Sequence, residues 1–237
     1  KANFQIEHGF SVDTGKMGKE GSFANRQSWV GLSGGFGDVI LGNTLTAYDD
    51  IAGASHSQFD DGFAPENLIL TTYNFVGRPG NMIKYTSPSF GGVGFGFSTN
   101  LKEGAAKAHT AFQVNYAGGP VSVSFGHQRD ADETKFTRAN LSVDLGVATL
   151  LAGLGNQDKS GSKTKDLNLG ANIPLGSNLT LSTGYARSKP DAGKAATGFG
   201  VGVDYNLSKR SNVYAGLTKT KNGGPDTLLG VGLRHKF

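Results

Sequence analysis

Period-two alternation of apolar and polar residues runs through almost the whole chain, and it constrains the fold more than any other feature. Phe112, Val114 and Tyr116 alternate with Gln113 and Asn115, and Val121, Val123 and Phe125 with Ser122, Ser124 and Gly126. Leu167, Leu169, Ala171, Ile173 and Leu175 repeat the pattern, as do Phe199, Val201, Val203, Tyr205 and Leu207. Successive side chains of a strand point to opposite faces, so this alternation builds a sheet with one apolar and one polar face. Almost no stretch shows the 3.6-residue spacing of a helix. The chain reads as all-β.

Turn-forming residues divide the 237 residues into about 14 strands. The expected spans begin with 1–13, 23–33, 37–45, 81–90 and 92–100, and end with 178–188, 197–207, 211–221 and 226–237. Connections alternate in character. Those at 34–36, 118–119 and 206–211 are compact, whereas those at 15–22 and 189–195 are longer and polar. In an antiparallel meander this gathers the short turns at one end, which is the pattern of a transmembrane barrel.

The polar face separates a membrane barrel from a soluble sandwich. A sandwich turns that face to bulk water and usually charges it heavily. Here it is mostly Gly, Ser, Thr, Asn and Gln, and only 18% of the chain is charged. That suits a hydrated lumen. Strands of about 9 to 13 residues match a tilted membrane span. Aromatics near strand ends, including Phe10, Tyr116, Tyr185, Tyr205 and Phe237, fit interfacial girdles. By parity Asn3, Gln5, Glu7, Asn115, Ser124, Arg138, Asn140, Asn168 and Arg234 face inward. Phe4, Ile6, Val114, Leu141, Val143, Leu169, Val203 and Leu233 face outward.

Other classes fall away on composition. The 37 glycines lack a three-residue period, which excludes collagen. With no cysteine there is no disulfide scaffold, thiolate zinc site or cysteine nucleophile. The net charge of +4 is modest and scattered, so no nucleic-acid partner is expected. No apolar run reaches the length of a transmembrane helix; 147–155 is among the longest. Lys1 opens directly into a strand-like pattern without a signal peptide, as expected of a mature product or a fragment.

The segment at about 46–80 breaks the rhythm. It holds Asp49, Asp50, Asp60, Asp61 and Glu66, with no Lys or Arg before Arg78. It also holds Ile51, Phe59, Phe63, Leu68, Ile69 and Leu70, so it can pack. One reading is an exposed loop with solvated carboxylates. The sharper one folds the loop into the lumen as a charged constriction, since rings of charge are how wide channels select ions.

Catalytic motifs are not convincing. GLSGG at 31–35 matches G-x-S-x-G but leads into a hairpin, not the helix a nucleophile elbow needs. His8, His56, His109, His127 and His235 are too dispersed for a metal motif. GGVGFGF at 91–97 lies within a strand pair, where it does not cradle phosphate. Lys209 and Arg210 read as solvated turn charges. The expectation is no enzyme, no cofactor and no metal.

Four stretches stand out: NRQSWVGLSGGFGDVILGN (25–43), IKYTSPSFGGVGFGFS (83–98), DYNLSKRSNVYAGL (204–217) and GVGLRHKF (230–237). They resemble the general porins of Gram-negative beta-proteobacteria, the neisserial and comamonad type. The resemblance runs the whole length, with the motifs in the expected order. It implies one β-barrel domain over 1–237, embedded in the Gram-negative outer membrane and passing ions and small hydrophilic solutes passively. The loop at about 46–80 would set the bore. Arg26 and Lys84 would be wall positions opposing its acids, with Arg138 a further inward basic residue.

The resemblance also implies a homotrimer in contact with outer-membrane lipid and lipopolysaccharide. The terminal-strand face Leu229, Val231, Leu233, His235 and Phe237 would be the signal read by the barrel-assembly machinery. Two departures stand out. The family has 16 strands with the long loop after the fifth, but here the loop follows the third, so the first hairpin is expected to lie outside this sequence, through truncation, partial sequence or engineering. Asn43 stands where an LGR motif usually supplies a pore arginine. With five loop acids, weak cation preference is expected. The alternative is a plugged structural or adhesive barrel that does not conduct.

Overall fold

The structure is a computed structural model, and it describes residues 1–11, 13–17, 23–57, 62–102, 104 and 107–236. One antiparallel sheet contains fourteen strands, each hydrogen-bonded to the next in chain order. They are β1 (Ala2–Glu7), β2 (Gln27–Gly34), β3 (Gly37–Asn43), β4 (Met82–Thr86), β5 (Val93–Asn100), β6 (Thr110–Gly118) and β7 (Val121–Arg129). Then come β8 (Lys135–Asp144), β9 (Thr149–Lys159), β10 (Ser162–Pro174), β11 (Leu179–Pro190), β12 (Ala196–Asn206), β13 (Ser211–Lys221) and β14 (Thr227–His235). The segment between β3 and β4 carries two short helices, α1 (Asp49–Ala52) and α2 (Pro65–Ile69), and a 3₁₀ turn at Thr71–Tyr73.

Side-chain exposure is inverted relative to a water-soluble sheet. Phe4, Ile6, Val114, Leu141, Leu169, Val203 and Leu233 stand exposed, while Ser124, Arg138, Asn140 and Asn168 are buried. Val143 is half-buried. The register agrees with the parity expectation; slipping any strand by one residue would exchange the two sets. A continuous apolar outer face of this size is a liability in water and an asset against lipid.

Contacts with the long loop demonstrate that the sheet is curved. Inner-face residues of β4, β5, β7, β8, β10, β11, β12, β13 and β14 all touch the segment between Thr46 and Thr72. Laid flat, the ten strand spacings from β4 to β14 would cover about 50 Å. One compact loop reaches all of them only because the wall bends around it. The apolar cores accordingly lie inside the sheet's concavity. Ala47, Tyr48 and Ala52 pack on Ala111 and Phe136, and Ile69 and Leu70 pack on Ala186.

Several expectations about strands and turns need correction. β2 begins at Gln27, not 23, beyond Ala24 at positive φ. β1 ends at Glu7, not 13, because the Asn25 side chain takes over beyond it. Its amide donates to the Gly9 carbonyl and its oxygen accepts from the Gly9 N–H. β4 ends at Thr86, not 90, since Pro88 has no N–H for the ladder. The connection at the long-loop end between β9 and β10 is a tight turn with Ser160 and Gly161 both at positive φ, as a two-residue hairpin requires. Among the described residues no ladder joins β1 to β14.

Candidate functional site

The loop is held against one side of the wall by polar side chains that parity points inward. Arg138 on β8 is the hub and is fully buried. Its Nε donates to Asn140 Oδ1 at 2.8 Å, its Nη1 to Thr72 Oγ1 at 3.2 Å and its Nη2 to Ser55 Oγ at 3.0 Å. Nη2 also donates to Asn168 Oδ1, and the guanidinium lies 4.8 Å from the centre of the Tyr73 ring. Asn140 and Asn168 in turn donate their amides to the carbonyls of Ile51 and Ser55. Asp166 on β10 accepts from the Thr72 N–H at 2.7 Å and from its hydroxyl at 2.8 Å.

A second clasp fixes the loop's two ends. Thr46 Oγ1 donates to Gln128 Oε1 at 2.7 Å, and the Gln128 amide donates to the Val76 carbonyl and to Asp130. Asp130 also accepts from the Val76 N–H at 2.9 Å. Between these clasps the wall presents glycines. A Cβ at Gly155 would lie 2.7 Å from Thr72 Cγ2, and one at Gly198 would lie 2.9 Å from Ile69 Cγ1. The high glycine content therefore has a use inside the lumen, where it lets the loop backbone lie close to the wall.

On the opposite side the loop leaves a cavity of about 740 Å³. It is bounded by Asn3, Ser33, Asp38, Lys84, Asn115 and Ser142 from the wall and by Asp50, Ile51 and Ala54 from the loop. Hydroxyl and amide side chains such as Asn3, Ser33, Asn115 and Ser142 share that wall with the apolar surface of Trp29, Ile40 and Val123.

The candidate pore residues take different places. Lys84 on β4 meets Asp50 directly, Nζ to Oδ1 at 2.6 Å, rather than facing it across a gap. Burial raises the Asp50 carboxyl from its ordinary range, and Lys84 pulls it back. Burial also pushes Asp49 up to about 6, with Arg78 opposing. Glu66 is fully buried on α2 against β11 and β12, where burial pushes it up to about 7. Arg26 pairs with Glu7 on β1 at 2.5 Å, and its side chain is half exposed. Arg138 lies under the loop and away from the cavity lining. Asp60 and Asp61 lie outside the described residues, as does Phe237. Leu229, Val231 and Leu233 point outward, and His235 Nδ1 meets Ser211 Oγ at 2.8 Å.

Residues that the sequence reading did not single out include Asp38, Gln128, Asp130 and Asp166. All four are polar; parity was a signal for Asp38, Gln128 and Asp166, whereas Asp130 follows the last residue of β7. Their roles depend on what the loop brings to them.

A curved membrane sheet with a polar interior, partly filled by its own loop, defines an outer-membrane channel. Residues 1–225 match the Gram-negative porin family, and the chain belongs to it. It is 32% identical to outer membrane porin protein 32 of Delftia acidovorans, over 96% of this chain and 72% of that protein. It is 27% identical to major outer membrane protein P.IB of Neisseria lactamica, over 100% and 79%. Among solved structures, the anion-selective porin from Comamonas acidovorans superposes with a TM-score of 0.77 at 25% identity, covering 100% of this chain and 84% of that one. The chain is an outer-membrane β-barrel porin.

Proposed function

We infer that the chain is a passive diffusion channel for ions and small hydrophilic solutes, with the loop at about 46–80 setting the bore. The carrying observation is the cavity between the loop and the inner faces of β1–β4 and β6–β8, where hydroxyl and amide side chains offer water a path past the loop. Purified protein in planar bilayers gives stepwise conductance on this reading; a protein that inserts without passing current would favour the plugged structural or adhesive barrel.

Residues 1–237 act as a single domain in this proposal. The loop acids Asp49, Asp50, Asp60, Asp61 and Glu66 and the basic residues Arg26, Lys84 and Arg138 form the constriction and its supports. Weak cation preference is favoured by the neutralised Lys84 and the enclosed Arg138, in contrast to the relative named as anion-selective. An outer membrane protein of Vibrio cholerae with this fold is described in a trimer form, which supports a homotrimer here. The exposed row Leu229, Val231 and Leu233 supports engagement of the assembly machinery by β14, alongside contact with lipid and lipopolysaccharide. No catalytic activity and no nucleic-acid partner belong to this reading.

A further inference from the structure

Only three charged side chains line the cavity beneath the loop among the described residues: Asp38, Asp50 and Lys84. Lys84 and Asp50 are in contact, and the Lys84 side chain is only 8% exposed. Asp38 stands at the start of β3, half-buried, with no ion pair or side-chain hydrogen bond among the described residues. In the β3–β4 ladder Asp38 pairs with Thr86 and Ile40 with Lys84. Asp38 and Lys84 are therefore diagonal neighbours on the inner face, about 7–8 Å apart by strand geometry.

Two acids thus flank one base, and the base is already committed to the loop acid. Beside the aqueous path the wall is left with one negative charge that has no ion-pair partner among the described residues. We propose that Asp38 is the specificity-determining residue of the channel, setting a preference for small cations, including organic ammonium ions, over anions. This rests on the channel reading and names the residue that gives it a sign. Arg138 cannot offset Asp38 in the cavity, since the loop encloses it completely. Arg26 is occupied by Glu7.

A fixed charge about 6 Å from a passing ion, in water at about 0.15 M salt, changes local ion concentration by a factor of about 1.7, up for cations and down for anions. Loss of Asp38 therefore lowers the cation-to-anion permeability ratio about threefold. Reversal potentials under a salt gradient test this on the full chain in planar bilayers, with potassium and chloride as probes. Asp38→Asn is expected to lower the ratio, and Asp38→Glu to retain the parental value. Asp144→Asn, at the β8–β9 turn and away from this cavity, is expected to leave it unchanged.

A conducting parent whose reversal potential ignores Asp38→Asn overturns the assignment alone. So does an equal shift from Asp144→Asn. A parent that passes no current overturns the channel reading, and the assignment with it. Should Asp38→Asn fail to assemble, Asp38→Ser decides, because it removes the same charge with a smaller side chain, and a ratio equal to the parent's overturns the assignment.

Discussion

Replacing Arg138 separates two roles that the same residue could play. As an inward basic residue it would be a pore charge; in the structure it is a rivet between loop and wall. Ser55, Thr72 and Tyr73 on the loop and Asn140 and Asn168 on the wall all converge on one guanidinium. Each hydrogen bond from a charged donor contributes about 1.5–3 kcal/mol, although bonds sharing a hub do not add. Removing the hub leaves buried acceptors on Ser55, Thr72 and Asn168 without this donor, at about 1–3 kcal/mol for each that stays unmet. A total of about 3 kcal/mol raises the undocked population of the loop more than a hundredfold.

Arg138→Met should therefore give larger, noisier single-channel steps, as the loop leaves the wall and samples the lumen. Arg138→Lys keeps the charge but loses the planar fork that reaches several oxygens at once, so it should resemble Arg138→Met. The clasps at Asp166 and Gln128 remain, which favours an assembled barrel. Single-channel recording supplies step size and noise, and a salt gradient supplies the reversal potential. If Arg138→Lys behaves like the parent while Arg138→Met shifts only the reversal potential, Arg138 is a pore charge and the rivet argument is refuted.

Gly155→Val places a side chain where Thr72 already stands, an overpacking of about 1–3 kcal/mol, so conductance noise should rise and limited proteolysis should cut the loop faster; unchanged cleavage would count against the close seat. Glu66 has its folded value raised to about 7 from 4.5, so the docked loop holds the proton. Docking is then strongest below about pH 4.5 and weakens as pH rises through 7, by up to about 3 kcal/mol. Loop protection from protease should fall from pH 5 to pH 8 in the parent and much less in Glu66→Gln, and identical profiles would sink the idea. Val231 points outward and is 81% exposed, so Val231→Lys should cost about 2–4 kcal/mol at mid-membrane and lower the yield of heat-modifiable, folded protein. An undiminished yield would mean that this face does not meet lipid.

Alternation alone determined the all-β class, the order of fourteen strands and which side chains face lipid, because strand parity is a local property that each residue pair repeats. Val114 and Leu233 outside, and Asn140 and Asn168 inside, needed no knowledge of the rest of the molecule. Strand ends were less legible where side chains or proline intervene, as Asn25 does beyond Glu7 and Pro88 does beyond Thr86. The site was legible as an acidic, packable loop beside basic wall residues, but not in its pairings. Parity put Arg138 inside and the family resemblance put Lys84 on the wall, but neither singled out Asp38. Only the tertiary structure enclosed Arg138, tied Lys84 to Asp50 and left Asp38 beside water. The loop's seat depends on contacts between residues far apart in the chain, such as Phe63 with Thr218, 155 positions on. Charge in a channel acts through its solvation and its neighbours, and both are fixed by where the loop lies.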